Sequence, residues 1–443
     1  MAVKPTNKPR VIVVGAGPVG LYTAHALAKA NIDYVVLEQH SEIVRLRGAG
    51  IVLLPNTMRL LDQIGLCEAT EKIATRLNSK VNLLQNGREL IRFRLFEPMQ
   101  EAFGYYTLGF SRRDILRILY EGLPERERRI KTNAGIVNIE THDNGVRVHL
   151  EDGSVEEGSL IIGADGVHSK TREIMTKLAC ESSESKGDED AYPMVASYQG
   201  LFSRAPRRED IPLGCFYESH GTGVASQGVN GNEFLYFGVF RALPKPTTAK
   251  RRFTKQELEE EAERLSDIHI FPTVQFKEIW STCDHDKDAS LVHIEEGILD
   301  KWYHGRVVLL GDAVHKMTPI NGNGLNTGLQ SATVLVNQLH GILNSDSDFT
   351  NEAIEKAFHN YQTTQEEGCS KICQEGAFMT RLVTWTTWTG WFFDRFILPW
   401  MNLEEAAKSQ TQPQMQEAHI LDFIPFEGRT GTVPWKKMPK GQA

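Results

Sequence analysis

VIVVGAGPVG at residues 11–20 is a β-branched apolar run that halts at Gly15 and passes directly into helix-forming alanines and leucines reaching Ala30. A second apolar run, Tyr34 to Glu38, follows at once, so the segment reads as a βαβ unit. Glycines in G-x-G-x-x-G spacing suit a pyrophosphate. Gly15 permits the tight turn, Gly17 lets the backbone approach the ligand, and Gly20 lets the helix pack closely on the strand. The amides at the helix N-terminus then face the phosphates. Glu38 ends the second strand, near the roughly 20-residue spacing expected of an acid that accepts ribose hydroxyls. The motif predicts dinucleotide binding and, taken alone, suits FAD and NAD(P) equally.

No second G-x-G-x-x-G follows a strand, but two glycine-aspartate clusters do. Gly163-Ala164-Asp165-Gly166-Val167-His168-Ser169 succeeds the apolar SLII, and Gly311-Asp312-Ala313-Val314-His315 succeeds RVVLL. A carboxylate at the carboxyl end of a parallel strand reaches a ligand in the crevice there. Pro319-Ile320-Asn321-Gly322-Asn323-Gly324-Leu325-Asn326 is a glycine-rich turn opening a further helix, and Ser111-Arg112-Arg113-Asp114 precedes an amphipathic one, ILRILYEGL.

These clusters, in this order, resemble those of the group A flavoprotein monooxygenases of the aromatic-hydroxylase fold. The run GDAVHKMTP, Gly311 to Pro319, is similar to the G-D-[AS]-x-H-K-M-T-P of their fungal natural-product branch. The resemblance spans nearly the whole chain. It implies an α/β protein: a Rossmann-like FAD-binding domain, a mixed-sheet substrate domain and a helical C-terminal region. It places Gly15, Gly17, Gly20 and Glu38 on the ADP half of FAD, and gives Asp165 and Gly166 to FAD and NAD(P)H together. Gly311 and Asp312 fall at the ribityl and pyrophosphate region, and Arg112, a better match than Arg113, contacts FAD. The backbone of Gly322, Gly324, Leu325 and Asn326 underlies the isoalloxazine ring, where relatives more often carry a Gly-Gln-Gly-like turn. Arg47, Gly48, Ala49 and Gly50 join the cofactor set. Arg45 and Arg47 either line the NADPH or flavin path or are solvated charges.

The implied reaction has NADPH reduce the flavin and O2 give a C4a-hydroperoxide, which hydroxylates or epoxidises an electron-rich alkaloid, terpenoid, polyketide or aromatic compound. Such chemistry asks the protein chiefly to bind, orient and exclude water. His315 is the candidate acid or base, with a structural role as the alternative. A flavin halogenase is disfavoured because no W-x-W-x-I-P motif occurs. A flavin oxidase or dehydrogenase, and a non-enzymatic flavin-binding regulator, remain as rivals.

At 443 residues the chain predicts two or three domains. We expect a discontinuous cofactor domain over 1–82, 105–183 and 285–350. A sheet domain over 83–104 and 184–284 is read from short alternating runs such as YPMVASYQGLF and FLYFGVF, and a helical region covers 351–443. Substrate would lie between that sheet and the flavin turn, which nominates Tyr198, Gln199, Phe216, Tyr217, Tyr236 and Phe237 as walls. Net charge of −8 carries no footprint for nucleic acid, so small molecules are the expected partners. The opening MAVKPTNKPR lacks a secretory h-region, which predicts a cytoplasmic protein. Six dispersed cysteines predict neither a disulfide framework nor a metal site. Residues 384–400, TWTTWTGWFFDRFILPW, hold four of the seven tryptophans. Charges at Arg381, Asp394 and Arg395 argue against a spanning helix. A cap over the main domains is the expectation; peripheral membrane contact or a substrate-access lid are the alternatives.

Overall fold

A computed structural model describes residues 9–45, 50–182, 194–343 and 349–439. The opening motif folds as its pattern predicts, with a strand at Arg10–Val14, a helix at Pro18–Lys29 and a strand at Asp33–Leu37. Arg10–Val14 pairs in parallel with Asp33–Leu37 on one side and Leu160–Gly163 on the other, and Leu160–Gly163 pairs in parallel with Val307–Leu309. Buried on both faces, these strands are continuous apolar runs in which Val11, Ile12, Ile161 and Val308 are fully enclosed. Their carboxyl ends share one edge, so the three glycine clusters meet there although nearly 300 residues separate the first from the last.

A helix at Asn323–Leu343 packs beside Pro18–Lys29. Two glycines permit the approach: a Cβ on Gly328 would stand 2.7 Å from Val19 Cγ2, and one on Gly311 would stand 3.3 Å from it. Both helices therefore aim their N-termini at the same crevice.

The mixed sheet runs, in spatial order, through His315–Lys316, Ser290–Ile298, Val195–Pro206, Phe234–Thr247, Val224–Asn230, Cys215–Gly221, Ser79–Leu84 and Glu89–Phe93. Three of these strands fall outside the expected limits, His315–Lys316 at the edge among them. Ser79–Leu84 straddles residues 82 and 83 because it pairs in parallel with Cys215–Gly221, and Ser290–Ile298 pairs with Val195–Pro206 although it lies beyond residue 284. Residues 183–193, which hold all but the first two residues of the polar ESSESKGDED at 181–190, are outside the described residues.

Alternation gives this sheet two faces. Leu201, Tyr217, Leu235, Phe237 and Val239 pack with Leu258 and Ala262 of the Lys255–Arg264 helix and with Phe276 and Trp280. The other face looks toward the cofactor crevice: Phe216 and Val229 join the main core, while Tyr198, Ala225 and Phe240 pack with Ile320 and Val383.

The 33-residue helix Asn351–Val383 leads into residues 384–400, which form a short helix, a π-turn at Phe393–Ile397 and a 3-10 turn. This segment is less of a cap than its aromatic content predicts. Trp388 is 75% exposed and Trp400 89%, while the anchor is polar: the fully buried Asp394 accepts from Trp385 Nε1 at 2.7 Å. Among the described residues no helix is long and apolar enough to cross a membrane. The chain then returns to the cofactor half. Gln63 exchanges two hydrogen bonds with the Leu421 backbone, Arg59 donates to Lys437 O and stacks on Trp435, and Arg429 pairs with Glu71.

Candidate functional site

Gly15 has φ of +101°, which favours glycine, and a Cβ there would lie 2.6 Å from Ala164 O. At Gly20 a Cβ would lie 2.0 Å from Gly15 O, so helix and turn touch backbone to backbone. Gly17, at the helix N-cap, differs: nothing lies within 4 Å of where its Cβ would be. The first and third glycines serve packing, and the second leaves room on the side from which a pyrophosphate would approach. Glu38 is buried, and its carboxylate accepts from the Ala16 amide at 2.9 Å and the His40 amide at 3.0 Å. It thus braces the turn while each oxygen keeps acceptor capacity for a ribose hydroxyl.

At the second cluster, Asp165 accepts from Ser169 Oγ at 2.5 Å and from the Thr171 amide and hydroxyl at 2.9 and 3.0 Å. The carboxylate so ties down the start of the Lys170–Ser182 helix, and burial raises its pKa against those bonds. Its observed role is to hold Gly166, at φ of +83°, open on the crevice side. At the third cluster, Asp312 pairs with Lys316 Nζ at 2.5 Å. Burial works against ionisation there, but Lys316 and the charge of Arg112 hold the carboxyl below its usual range. Arg112, exposed at the first turn of Arg112–Gly122, is therefore brought electrostatically to Asp312 from a distant part of the chain. Arg113 uses its amide on Ser111 Oγ, the helix cap.

Gly322, at φ of +65°, turns the chain into the Asn323–Leu343 helix, and the nearest atom to a Cβ on Gly324 would be Asp312 Oδ1 at 4.0 Å. Leu325 is half-buried beside the core. Asn326 is spent on structure: its amide donates to Val52 O and Gly322 O and its carbonyl accepts from the Leu54 amide, stapling the Gly50–Leu53 strand to the helix start. Gly50 meets the mixed sheet, since a Cβ on it would stand 2.8 Å from Tyr236 Cβ. Arg47, Gly48 and Ala49 lie outside the described residues. The open positions at Gly17, Gly166 and Gly324, with the Asp312–Lys316 pair at the third cluster, fit an extended phosphate-bearing cofactor along the strand ends.

Of the wall candidates, Phe216 and Tyr236 lie on the crevice-facing side, with Phe216 half-buried edge-on to Phe96. Tyr198 is on that side but is core, bonding Thr384 Oγ1 at 3.0 Å. Gln199 must be corrected. It stands opposite Arg241, which pairs with Glu261 of the outer helix, so alternation turns it away from the crevice. Tyr217 and Phe237 are turned outward for the same reason.

A family model described as an FAD binding domain matches residues 8–356. The FAD-dependent monooxygenase srdH of Neurospora crassa is 38% identical over 97% of this chain and 98% of its own length. The chain belongs to the group A FAD-dependent monooxygenases. The FAD-dependent monooxygenase ausM of Penicillium brasilianum is 32% identical over 97% of this chain and 90% of its own. Among solved structures, HpxO of Klebsiella pneumoniae, complexed with FAD and uric acid, superposes with a TM-score of 0.76 at 20% identity, over 92% of this chain and 96% of that one, a likeness of fold. The monooxygenase thus matches its relatives through both the cofactor half and the mixed sheet, in the fungal natural-product branch.

His315 of the monooxygenase is enclosed against Trp302, with Nε2 3.1 Å from Ser331 Oγ, and burial lowers its pKa to about 4. It stays neutral and faces the core rather than the crevice. The sequence reading overlooked a polar group on the crevice-facing side of the sheet. Glu218 and His220 are almost fully enclosed there, with Lys80 Nζ at 2.6 Å from Glu218 Oε1 and Asp394 Oδ2 at 2.8 Å from His220 Nδ1. The signal was the E-x-H spacing within the strand FYESH, which puts two ionisable side chains on the one face where Phe216 was expected to set the pattern.

Proposed function

We infer that this monooxygenase takes electrons from NADPH and hydroxylates or epoxidises an electron-rich aromatic, indole- or terpenoid-like small molecule in secondary metabolism. One observation carries the reading: the glycine-lined crevice ends at a turn, Pro319 to Gly322, whose Ile320 packs with Tyr198, Ala225 and Phe240 of the mixed sheet, and Phe216, Val229 and Tyr236 lie on that same face of the sheet. A mostly apolar wall opposite a cofactor turn excludes water and places an apolar substrate's π-system beside the reacting edge. Bound FAD supplies the electron carrier and the activation of O2. Gly17 and the helix amides would hold its pyrophosphate, Glu38 its adenosine ribose, Asp312 and Arg112 its central region, and Gly322 to Leu325 its ring. The division into a discontinuous cofactor domain, a sheet domain and a helical C-terminal region belongs to the same reading.

The test is to follow NADPH oxidation, O2 uptake and peroxide release together, with and without indole and phenolic candidates. A compound that speeds NADPH oxidation while peroxide falls below O2 consumed supports the reading. Stoichiometric peroxide with every candidate, or no oxidation of NADPH, would sink it.

A further inference from the structure

Four ionisable side chains from three separate parts of the chain meet on the crevice-facing side of the mixed sheet. Lys80 comes from Ser79–Leu84, Glu218 and His220 from Cys215–Gly221, and Asp394 from the π-turn of the C-terminal segment. His220 lies between two carboxylates, with Nε2 3.0 Å from Glu218 Oε1 and Nδ1 2.8 and 3.0 Å from the two oxygens of Asp394. A neutral imidazole has one N–H and would set a lone pair against one of those anions, whereas the imidazolium donates to both carboxylates at once. Two cations and two anions then balance, as burial of charge demands. The carboxylates sit on opposite edges of the ring, and the group does not converge on a metal.

Both ends of this group are tied. At one end Asp394 also accepts from Trp385 Nε1 at 2.7 Å, which fixes the Trp-bearing segment. At the other, Gln227 donates to Glu218 Oε2 at 2.8 Å and to Ile320 O at 2.6 Å. Ile320 lies in the turn that opens the Asn323–Leu343 helix. From behind, the turn is held by Thr380 Oγ1, 3.0 Å from Thr318 Oγ1, and by Gly376, where a Cβ would stand 3.0 Å from both Asn321 Nδ2 and Thr318 Oγ1.

We propose that His220 is a positioning residue for the flavin: its imidazolium, bridging Glu218 and Asp394, fixes through Gln227 the Ile320 carbonyl, and so the Pro319–Gly322 turn that carries the ring. This rests on the reading that the ring lies on that turn. The group touches no reacting atom; it sets where the helix N-terminus and its amides stand relative to the ring, and hence how well they stabilise charge on it.

The variants are Gln227→Leu, which cuts the link to the turn without changing charge, Asp394→Asn at the far end, and their double. The readouts are FAD affinity and flavin midpoint potential, with folding followed by circular dichroism. Each single variant should weaken FAD binding about fivefold and shift the potential, and the double should match Gln227→Leu alone because the link is already cut. Should Asp394→Asn not fold, a weakened, shifted flavin in Gln227→Leu carries the proposal and an unchanged one overturns it. Folded variants with wild-type affinity and potential, or effects that multiply in the double, overturn it. Gly324→Val separates the two levels: if it weakens FAD while the other variants do not, the site stands and this proposal falls; if it too has no effect, both fall.

Discussion

Gly17 and Gly20 look alike in the sequence and differ in what surrounds them. Gly20→Ala forces a methyl onto Gly15 O and should destabilise the protein by about 3 kcal/mol or more. Gly17→Ala has open space and an extended backbone, so the apoprotein should lose about 1 kcal/mol or less. FAD affinity in that variant should fall about tenfold, ~1.4 kcal/mol. Thermal unfolding of the apoprotein and flavin titration separate the two effects. His315→Asn should cost about 1 to 3 kcal/mol of stability and leave the rate per bound flavin near wild type; a large fall in that rate with stability intact would restore it as a catalytic group. The roles of Gly15 and Gly20 were legible because the positive φ at Gly15 and the contact of Gly20 with Gly15 O are both set within the turn. Those of Asp165 and Asn326 were not, because what a polar side chain bonds depends on neighbours the sequence does not place. Asp165 reaches residues only four and six positions away, but Asn326 reaches across more than 270.

That long reach makes Asn326 a test at the level of elements. Asn326→Ala leaves the Leu54 amide and two carbonyls unpaired and should cost about 3 kcal/mol. Asn326→Asp keeps the acceptor but turns an oxygen toward the carbonyls of Val52 and Gly322, so at neutral pH it should be the more damaging of the two by thermal unfolding. Strand alternation explains where reading the mixed sheet failed. The runs predicted strands correctly, but a period of two does not say which half faces the crevice, and that is why Gln199, Tyr217 and Phe237 were nominated beside Phe216. The face is decided by the Lys255–Arg264 helix, whose apolar side claims the outer half. The same ambiguity hid Glu218 and His220.

Over the whole molecule, the parallel core was the most legible part because βαβ connections admit few arrangements. The return of residues 415–438 to the cofactor half was the least, since it rests on single side chains such as Arg59 and Gln63. The buried quartet gives the molecule a pH signature. Burial opposes protonation of His220, but Asp394 and Glu218 more than offset it and raise its pKa from 6.5 to about 9. Folding therefore favours the protonated ring, and the stabilisation is complete below pH 6.5 and lost as pH rises through about 9. The stability advantage of wild type over His220→Gln, measured by denaturant unfolding, should shrink across that window; an advantage that grew with pH would contradict the charge assignment. The returning tail has a further consequence, for biosynthesis. Arg59, Gln63, Glu71 and Tyr105 emerge early from the ribosome but wait for partners at Leu421, Arg429, Trp435 and Lys437, which are translated more than 300 residues later. The nascent chain can build its first strands yet cannot seal the half that takes up flavin until residues 415–438 have emerged, so cofactor capture is expected to wait for that segment rather than follow the first strands.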